Sequence, residues 1–129
     1  MEFLNNLKGV PVPVGPYSQA VKLGETIYCS GQIGLDPNTG KLVEGIRAQI
    51  EQVMKNITAA LEGAGSSVDR IALSTIFLTD MSNWPDVNEV YGKAVREGHF
   101  PARQTVAVKA LPLGALVEIS VIATTSSNS

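Results

Sequence analysis

The chain is poor in the residues that many catalytic and structural chemistries require. It carries one cysteine, Cys29, and one histidine, His99. A lone cysteine closes no intrachain disulfide and builds no cysteine-rich zinc site. A Ser-His-Asp triad would have to use His99, and no nucleophile-elbow pattern accompanies it. Aromatic residues make up 5% of the chain, few for a surface on which nucleic-acid bases stack. Positive charge is not in excess either: 10 basic residues stand against 12 acidic ones, a formal net charge of -2. Nucleic acid is therefore not expected as a partner, since its binders draw most of their affinity from a basic patch. No apolar run is long enough to span a bilayer, so no membrane partner is expected. The start, Met1-Glu2-Phe3-Leu4-Asn5-Asn6-Leu7-Lys8, lacks the charged opening and apolar block of a secretory signal. It also lacks the arginines of a transit peptide. The expected location is cytoplasmic, with a mitochondrial pool left open.

What is present suffices for a core. With 129 residues, 44% of them hydrophobic and 17% charged, the chain reads as one globular domain over residues 1–129. Val10 to Pro16 is proline-rich and reads as extended. Thr26 to Ser30 has strand composition and stops at Gly31, where a kink or bulge is expected. Asp36-Pro37-Asn38-Thr39-Gly40 is a turn, and Lys41 to Val43 reads as a short returning strand. A helix begins near Gly45, because Ile46, Ile50, Val53, Met54, Ile57 and Leu61 repeat at steps of three and four. Gly63 and Gly65 suit its end. Ile71 to Thr79 is apolar enough for an interior strand. Ser82 and Asn83 are candidate caps for a second helix with Pro85 in its first turn, and Val87, Val90, Tyr91, Ala94 and Val95 line one of its faces. Arg103 to Val108 and Leu116 to Thr124 then read as a closing hairpin around Leu111 to Gly114.

The expected architecture is α+β: a mixed sheet with two helices packed on one face. Two helices leave the other face uncovered. Alanine, valine, isoleucine and leucine supply most of both faces, so an oligomer packed sheet against sheet is expected.

Arg103 is the most informative position. Pro101 stiffens the entrance to its strand, and a guanidinium held there can grip a carboxylate through two parallel hydrogen bonds. Three segments accompany it: Gly15-Pro16-Tyr17-Ser18-Gln19-Ala20, Ser30-Gly31-Gln32-Ile33, and Pro101-Ala102-Arg103 followed by Val117-Glu118-Ile119. Asp36-Pro37, Gly40 and Asn88-Glu89-Val90-Tyr91 fall between them. In this order the segments resemble the Rid (YjgF) family of reactive-intermediate imine and enamine deaminases, over nearly the whole chain from about Gly15 to Ala123.

The resemblance implies a chorismate-mutase-like fold and a homotrimer with a site at each subunit interface. It implies hydrolysis of 2-imino or 2-enamino acids, such as 2-aminoacrylate and 2-aminocrotonate, to 2-keto acids and ammonia, with no metal or organic cofactor. The residue types suit that chemistry. Arg103 would hold the carboxylate. Glu118 would place and polarise water, or relay a proton to the leaving nitrogen. Gly31 would let the ligand approach the backbone, and Tyr17, Ser30 and Asn88 would add hydrogen bonds. Thr105 stands where many members carry cysteine or serine; its methyl would narrow the pocket. Gln104, where a small residue is expected, should point away from the Arg103 face. Gly34 replaces a region where proline is common, which should loosen that loop. Cys29 should face away from Ser30 as a small buried hydrophobe, and His99 reads as a loop residue. Two other readings are a non-catalytic trimer that senses small 2-keto acids, and a ribonuclease or translation inhibitor.

A closing hairpin would set Ala107 opposite Glu118 and Arg103 opposite Ile122. Arg103 and Glu118 would then share a face, roughly 13 Å apart along the strands. One small substrate could not span that distance in one subunit, so the site is expected to draw on neighbouring chains.

Overall fold

The computed structural model of the chain describes residues 1–126. Six strands form one mixed sheet: β1 (Glu2–Leu4), β2 (Ala20–Leu23), β3 (Thr26–Gln32), β4 (Ile71–Leu78), β5 (Ala102–Ala107) and β6 (Val117–Thr124), in the spatial order β1-β2-β3-β6-β4-β5. Two helices, α1 (Ile46–Gly63) and α2 (Trp84–Ala94), pack on one face. The α+β expectation holds.

Helix α1 buries the stripe that its spacing announced: Ile50, Val53, Met54, Ile57 and Leu61 are all buried. Each such side chain contributes roughly 1.5–3 kcal/mol of transfer free energy. They meet Ile27 and Cys29 of β3, Ile76 and Leu78 of β4, and Val117, Ile119, Val121 and Ala123 of β6. Strand β6 alternates strictly between buried and half-buried, as a strand between helices and an open face must. That open face carries Tyr28, Leu73, Phe77, Val106 and Ile122, but Thr75 and Ser120 lie among them. It is less uniformly apolar than the sequence suggested.

The closing hairpin does not form. Strand β5 lies parallel to β4, with Ser74 level with Arg103 and Ile76 level with Thr105. Strand β6 sits on the other side of β4, antiparallel, with Phe77 level with Glu118. The cause is the crossover through α2, which delivers β5 beside β4 in the same direction. The Val108 N–H extends that pairing by donating to the Leu78 carbonyl at 2.7 Å. The chain then passes the end of β4 through a short 3₁₀ turn (Pro112–Gly114), where Leu113 and Gly114 adopt φ of 57° and 75°. It returns between β3 and β4.

At the other end, Lys41 to Val43 makes no strand; one bridge joins Leu35 to Leu42. Two backbone bonds flank it, from the Asp36 N–H to the Lys41 carbonyl and from the Val43 N–H to that of Gly34, both 2.9 Å, and side chains of α1 reinforce the pairing. Asn56 Nδ2 donates to the carbonyls of Ile33 and Leu35 at 3.2 and 2.9 Å, and Gln49 Nε2 donates to that of Val43 at 3.0 Å. Gly34 does not loosen this loop. A Cβ there would lie 2.9 Å from Gln49 Cα, so the missing side chain lets the loop lie against α1. The partners of β3 are instead β6 and β2, and the β2–β3 hairpin turns at Gly24, φ 59°. The caps of α2 differ as well. Asn83, at the start of α2, makes no side-chain cap bond, and Asp80 caps instead the 3₁₀ turn Met81–Asn83 that leads into it, accepting from the Ser82 N–H at 2.9 Å.

Candidate functional site

One group of site residues gathers on the open face. Strand β3 carries a bulge: Cys29 is level with Val121, but Gln32 is level with Ile119. Three steps on β3 therefore answer two on β6, which is where the sequence placed a kink. The bulge brings Gly31 against Glu118. A Cβ on Gly31 would lie 2.9 Å from both Cδ and Oε2 of that carboxylate. Ser30 and Gly31 face a cavity of about 320 Å³ lined by Tyr17, Gln32, Ile33, Pro112 and Glu118, among others. The Ser30 hydroxyl donates to the Ser18 carbonyl, which leaves its oxygen lone pairs free to accept. The Tyr17 hydroxyl accepts from the Val14 N–H at 3.4 Å, and its side chain stays exposed.

The outer wall of this cavity, Pro11 to Val14, is anchored by Gln19. That side chain is 2% exposed; it accepts from the Leu7 N–H at 2.8 Å and donates to the Pro11 carbonyl at 2.9 Å. Partial burial holds the Glu118 carboxyl above the ordinary glutamate value of 4.5, through desolvation. A carboxylate so placed holds its proton more tightly than one in water, which makes it a better base.

The second group lies on the helix face. Arg103 is level with Ser74, which is level with Val121, and Ser74 and Val121 are both buried beneath the helices. Its guanidinium meets α2: Nη2 donates to Asn88 Oδ1 at 2.7 Å. Its carbon lies 5.1 Å from the Trp84 ring centre and 5.5 Å from that of Tyr91. Asn88, Tyr91, Phe100, Pro101 and Arg103 line a second cavity of about 260 Å³. Among the described residues no carboxylate pairs with Arg103. Glu89, the nearest in sequence to Asn88, is engaged by Arg47 at 3.1 Å. The remaining N–H groups of the guanidinium are available to an incoming anion.

Arg103 and Glu118 thus do not share a face. Glu118 is three residues from Val121 along β6 and two strands from β5, roughly 14 Å between Cα atoms before the opposite facing is counted. The expected common face came from the hairpin, and the crossover removes it. The two side chains line separate cavities that share no residue.

Thr105 points to the helix face two residues beyond Arg103, as expected, and Gln104 is exposed on the other side. The Thr105 hydroxyl is buried and makes no hydrogen bond. Cys29 is buried on the helix face, away from Ser30, and burial pushes its thiol up to about 12; it is no nucleophile at neutral pH. His99 lies exposed between α2 and β5. Among the described residues no cluster of His, Cys, Asp and Glu is arranged to hold a metal, and no helix is long and apolar enough to cross a membrane. Sequence reasoning missed the support that Trp84 and Tyr91 give Arg103. The signal was there: Trp84, Asn88 and Tyr91 stand at steps of four and three, one helical face.

Comparison with known proteins agrees with the fold. The family model described as Endoribonuclease L-PSP matches residues 8–125. A RutC family protein of Aquifex aeolicus (strain VF5) is 49% identical over 114 residues, 88% of this chain and 91% of that protein. The Mus musculus protein named 2-iminobutanoate/2-iminopropanoate deaminase is 45% identical over 114 residues, 88% of this chain and 84% of its own. Among solved structures, RidA from the Antarctic bacterium Psychrobacter sp. PAMC 21119 superposes with a TM-score of 0.92 at 45% identity, covering 96% of this chain and 99% of that one.

Proposed function

The chain belongs to the Rid (YjgF) family, and we propose that it hydrolyses reactive 2-imino and 2-enamino acids to 2-keto acids and ammonia in the cytoplasm. The single observation that carries the reading is the division of the site. A cation fit for a carboxylate and a carboxylate fit for water lie in separate cavities on opposite faces of one sheet. A homotrimer would unite them, with Arg103 and Asn88 of one subunit facing Tyr17, Ser30, Gly31 and Glu118 of its neighbour. The open face with Tyr28, Phe77, Val106 and Ile122 is the surface such an assembly would cover.

In the united site Arg103 grips the substrate carboxylate with parallel hydrogen bonds and so fixes the imine carbon in space. An enamine first takes a proton on carbon and gives one up from nitrogen, and so becomes the imine. Glu118 accepts a proton from water as the hydroxide oxygen bonds to the imine carbon, and the C=N electron pair moves onto nitrogen. The nitrogen takes that proton back from Glu118. The resulting carbinolamine loses ammonia as its hydroxyl becomes the keto carbonyl. Water and imino acid thus yield keto acid and ammonia, and no oxidant or reductant is consumed.

The reading of the family as ribonucleases finds less support in these residues. Arg103 is the one cation among the described residues lining the two cavities, and a polynucleotide backbone calls for several. The test couples a serine or threonine dehydratase to this protein and follows keto-acid release. Acceleration that is lost in Arg103→Ala, with the oligomer intact, supports the proposal. Pyruvate binding without any acceleration would favour a sensor of 2-keto acids and overturn it.

A further inference from the structure

Arginine is a long, flexible side chain, and gripping an anion in one geometry requires that it be ordered beforehand. On this strand Arg103 has no acidic neighbour to order it. What it has is one face of α2. Trp84, Asn88 and Tyr91 lie at steps of four and three along the helix, and all three meet the guanidinium: two through their rings at 5.1 and 5.5 Å, one through a 2.7 Å hydrogen bond. The aromatic ring faces attract the cation without using any of its N–H groups. The third residue takes one N–H and leaves the others for a ligand.

Tyr91 is itself held from behind. It is 4% exposed, and its hydroxyl donates to Ser74 Oγ at 2.9 Å, where Ser74 is fully buried on the strand beside Arg103. Strand β4, helix α2 and the guanidinium on β5 are thereby tied together through one ring. Trp84 is different. It is 39% exposed, so it contributes little to the core.

We propose that Trp84 and Tyr91 are positioning residues that order the Arg103 guanidinium for carboxylate recognition. The inference rests on the proposed function only for the identity of the substrate; the grip itself concerns any small carboxylate. A carboxylate keeps its charge throughout the reaction, so the grip serves ground state and transition state alike. Weakening it raises KM and leaves kcat nearly unchanged.

The test uses the full chain and pyruvate as the probe, with binding followed by calorimetry and by tryptophan emission. Trp84 is the one tryptophan in the chain, so emission reports this site without a label. Pyruvate should shift the emission of the unaltered protein and leave that of Arg103→Ala unmoved. Trp84→Leu should weaken pyruvate binding, and raise KM for the imine, by roughly 3- to 30-fold. Its thermal stability should barely change, and Trp84→Phe should recover most of the affinity. Tyr91→Phe keeps the ring and strands the Ser74 hydroxyl, so it should lower stability while leaving affinity near that of the unaltered protein. Unchanged affinity in Trp84→Leu would overturn the proposal, as would a loss in kcat with KM constant. Should the protein bind pyruvate in this manner yet fail to hydrolyse imines, the catalytic reading falls and the positioning role stands.

Discussion

Gly31 and Glu118 meet with no space between them: a methyl group on the glycine would sit 2.9 Å from the Cδ and Oε2 of the glutamate. The glycine is needed for room, not for backbone freedom, since its φ is outside the left-handed region. The sequence suggested that the absent side chain admits a ligand. The structure shows that the space is filled by the carboxylate proposed to activate water.

Gly31→Ala should therefore act through Glu118. The glutamate is the far end of a flexible side chain and can swing aside, so the fold should survive. A displaced base costs the reaction about 10- to 100-fold in kcat. Steady-state kinetics beside a thermal melt separate the two effects. An unaltered kcat would mean that the position of Glu118 does not matter to turnover.

Glu118 also sets an acid limb. Desolvation raises its carboxyl above the ordinary 4.5, and the base must be ionised, so kcat should rise with pH through a midpoint above 4.5. Glu118→Gln should abolish the limb and lower kcat by roughly 10²- to 10⁴-fold. Stability should move in the opposite sense. A carboxyl that holds its proton more tightly when folded contributes fully below 4.5, and loses that contribution as pH rises through the raised value. Glu118→Gln should thus melt higher at pH 7, by less than ~1 kcal/mol because the group is partly solvated and screened. It should match the unaltered protein below pH 4.5. Paired melts at pH 4 and pH 7 check this.

Asn56 bears on the wall of the first cavity. It is fully buried, and its amide donates to the Ile33 and Leu35 carbonyls. Asn56→Ala strands the Leu35 carbonyl and leaves that of Ile33 with the Leu35 N–H alone, at a cost of about 1–3 kcal/mol. Asn56→Asp should be worse, since an ionised carboxylate offers those two oxygens no donor. Urea unfolding at fixed protein concentration measures both, and KM should rise with the loosened wall.

Helix α1 was readable because Ile50, Val53, Ile57 and Leu61 repeat on one face and nothing else competes for them. The bulge at Gly31 was readable because glycine interrupts a strand run there. The partner of β5 was not. Arg103 to Ala107 has the same alternation whether it pairs with β6 or with β4, and only the α2 crossover decides. With that pairing went the facing of Glu118 relative to Arg103. Strand β2 went unread although Gly24-Glu25 separates Ala20–Leu23 from Thr26 by a two-residue turn, a hairpin signal in its own right. Tyr91 read as a helix-face residue and Trp84 was not singled out, since ring–cation contacts depend on a strand brought in from far along the chain. The chemistry-bearing side chains were legible as types; which of them meet within one subunit was a matter of topology.

The most direct test of the divided site is complementation between two dead variants. Arg103→Ala and Glu118→Gln subunits are unfolded, mixed in equal amounts and refolded together. If each site takes Arg103 from one subunit and Glu118 from the next, half of the subunits supply each intact residue at random. About one quarter of the interfaces then hold both, so activity should return to about one quarter of the unaltered level. Activity no greater than that of the two variants refolded separately would mean that both residues must come from the same chain, and would contradict the account.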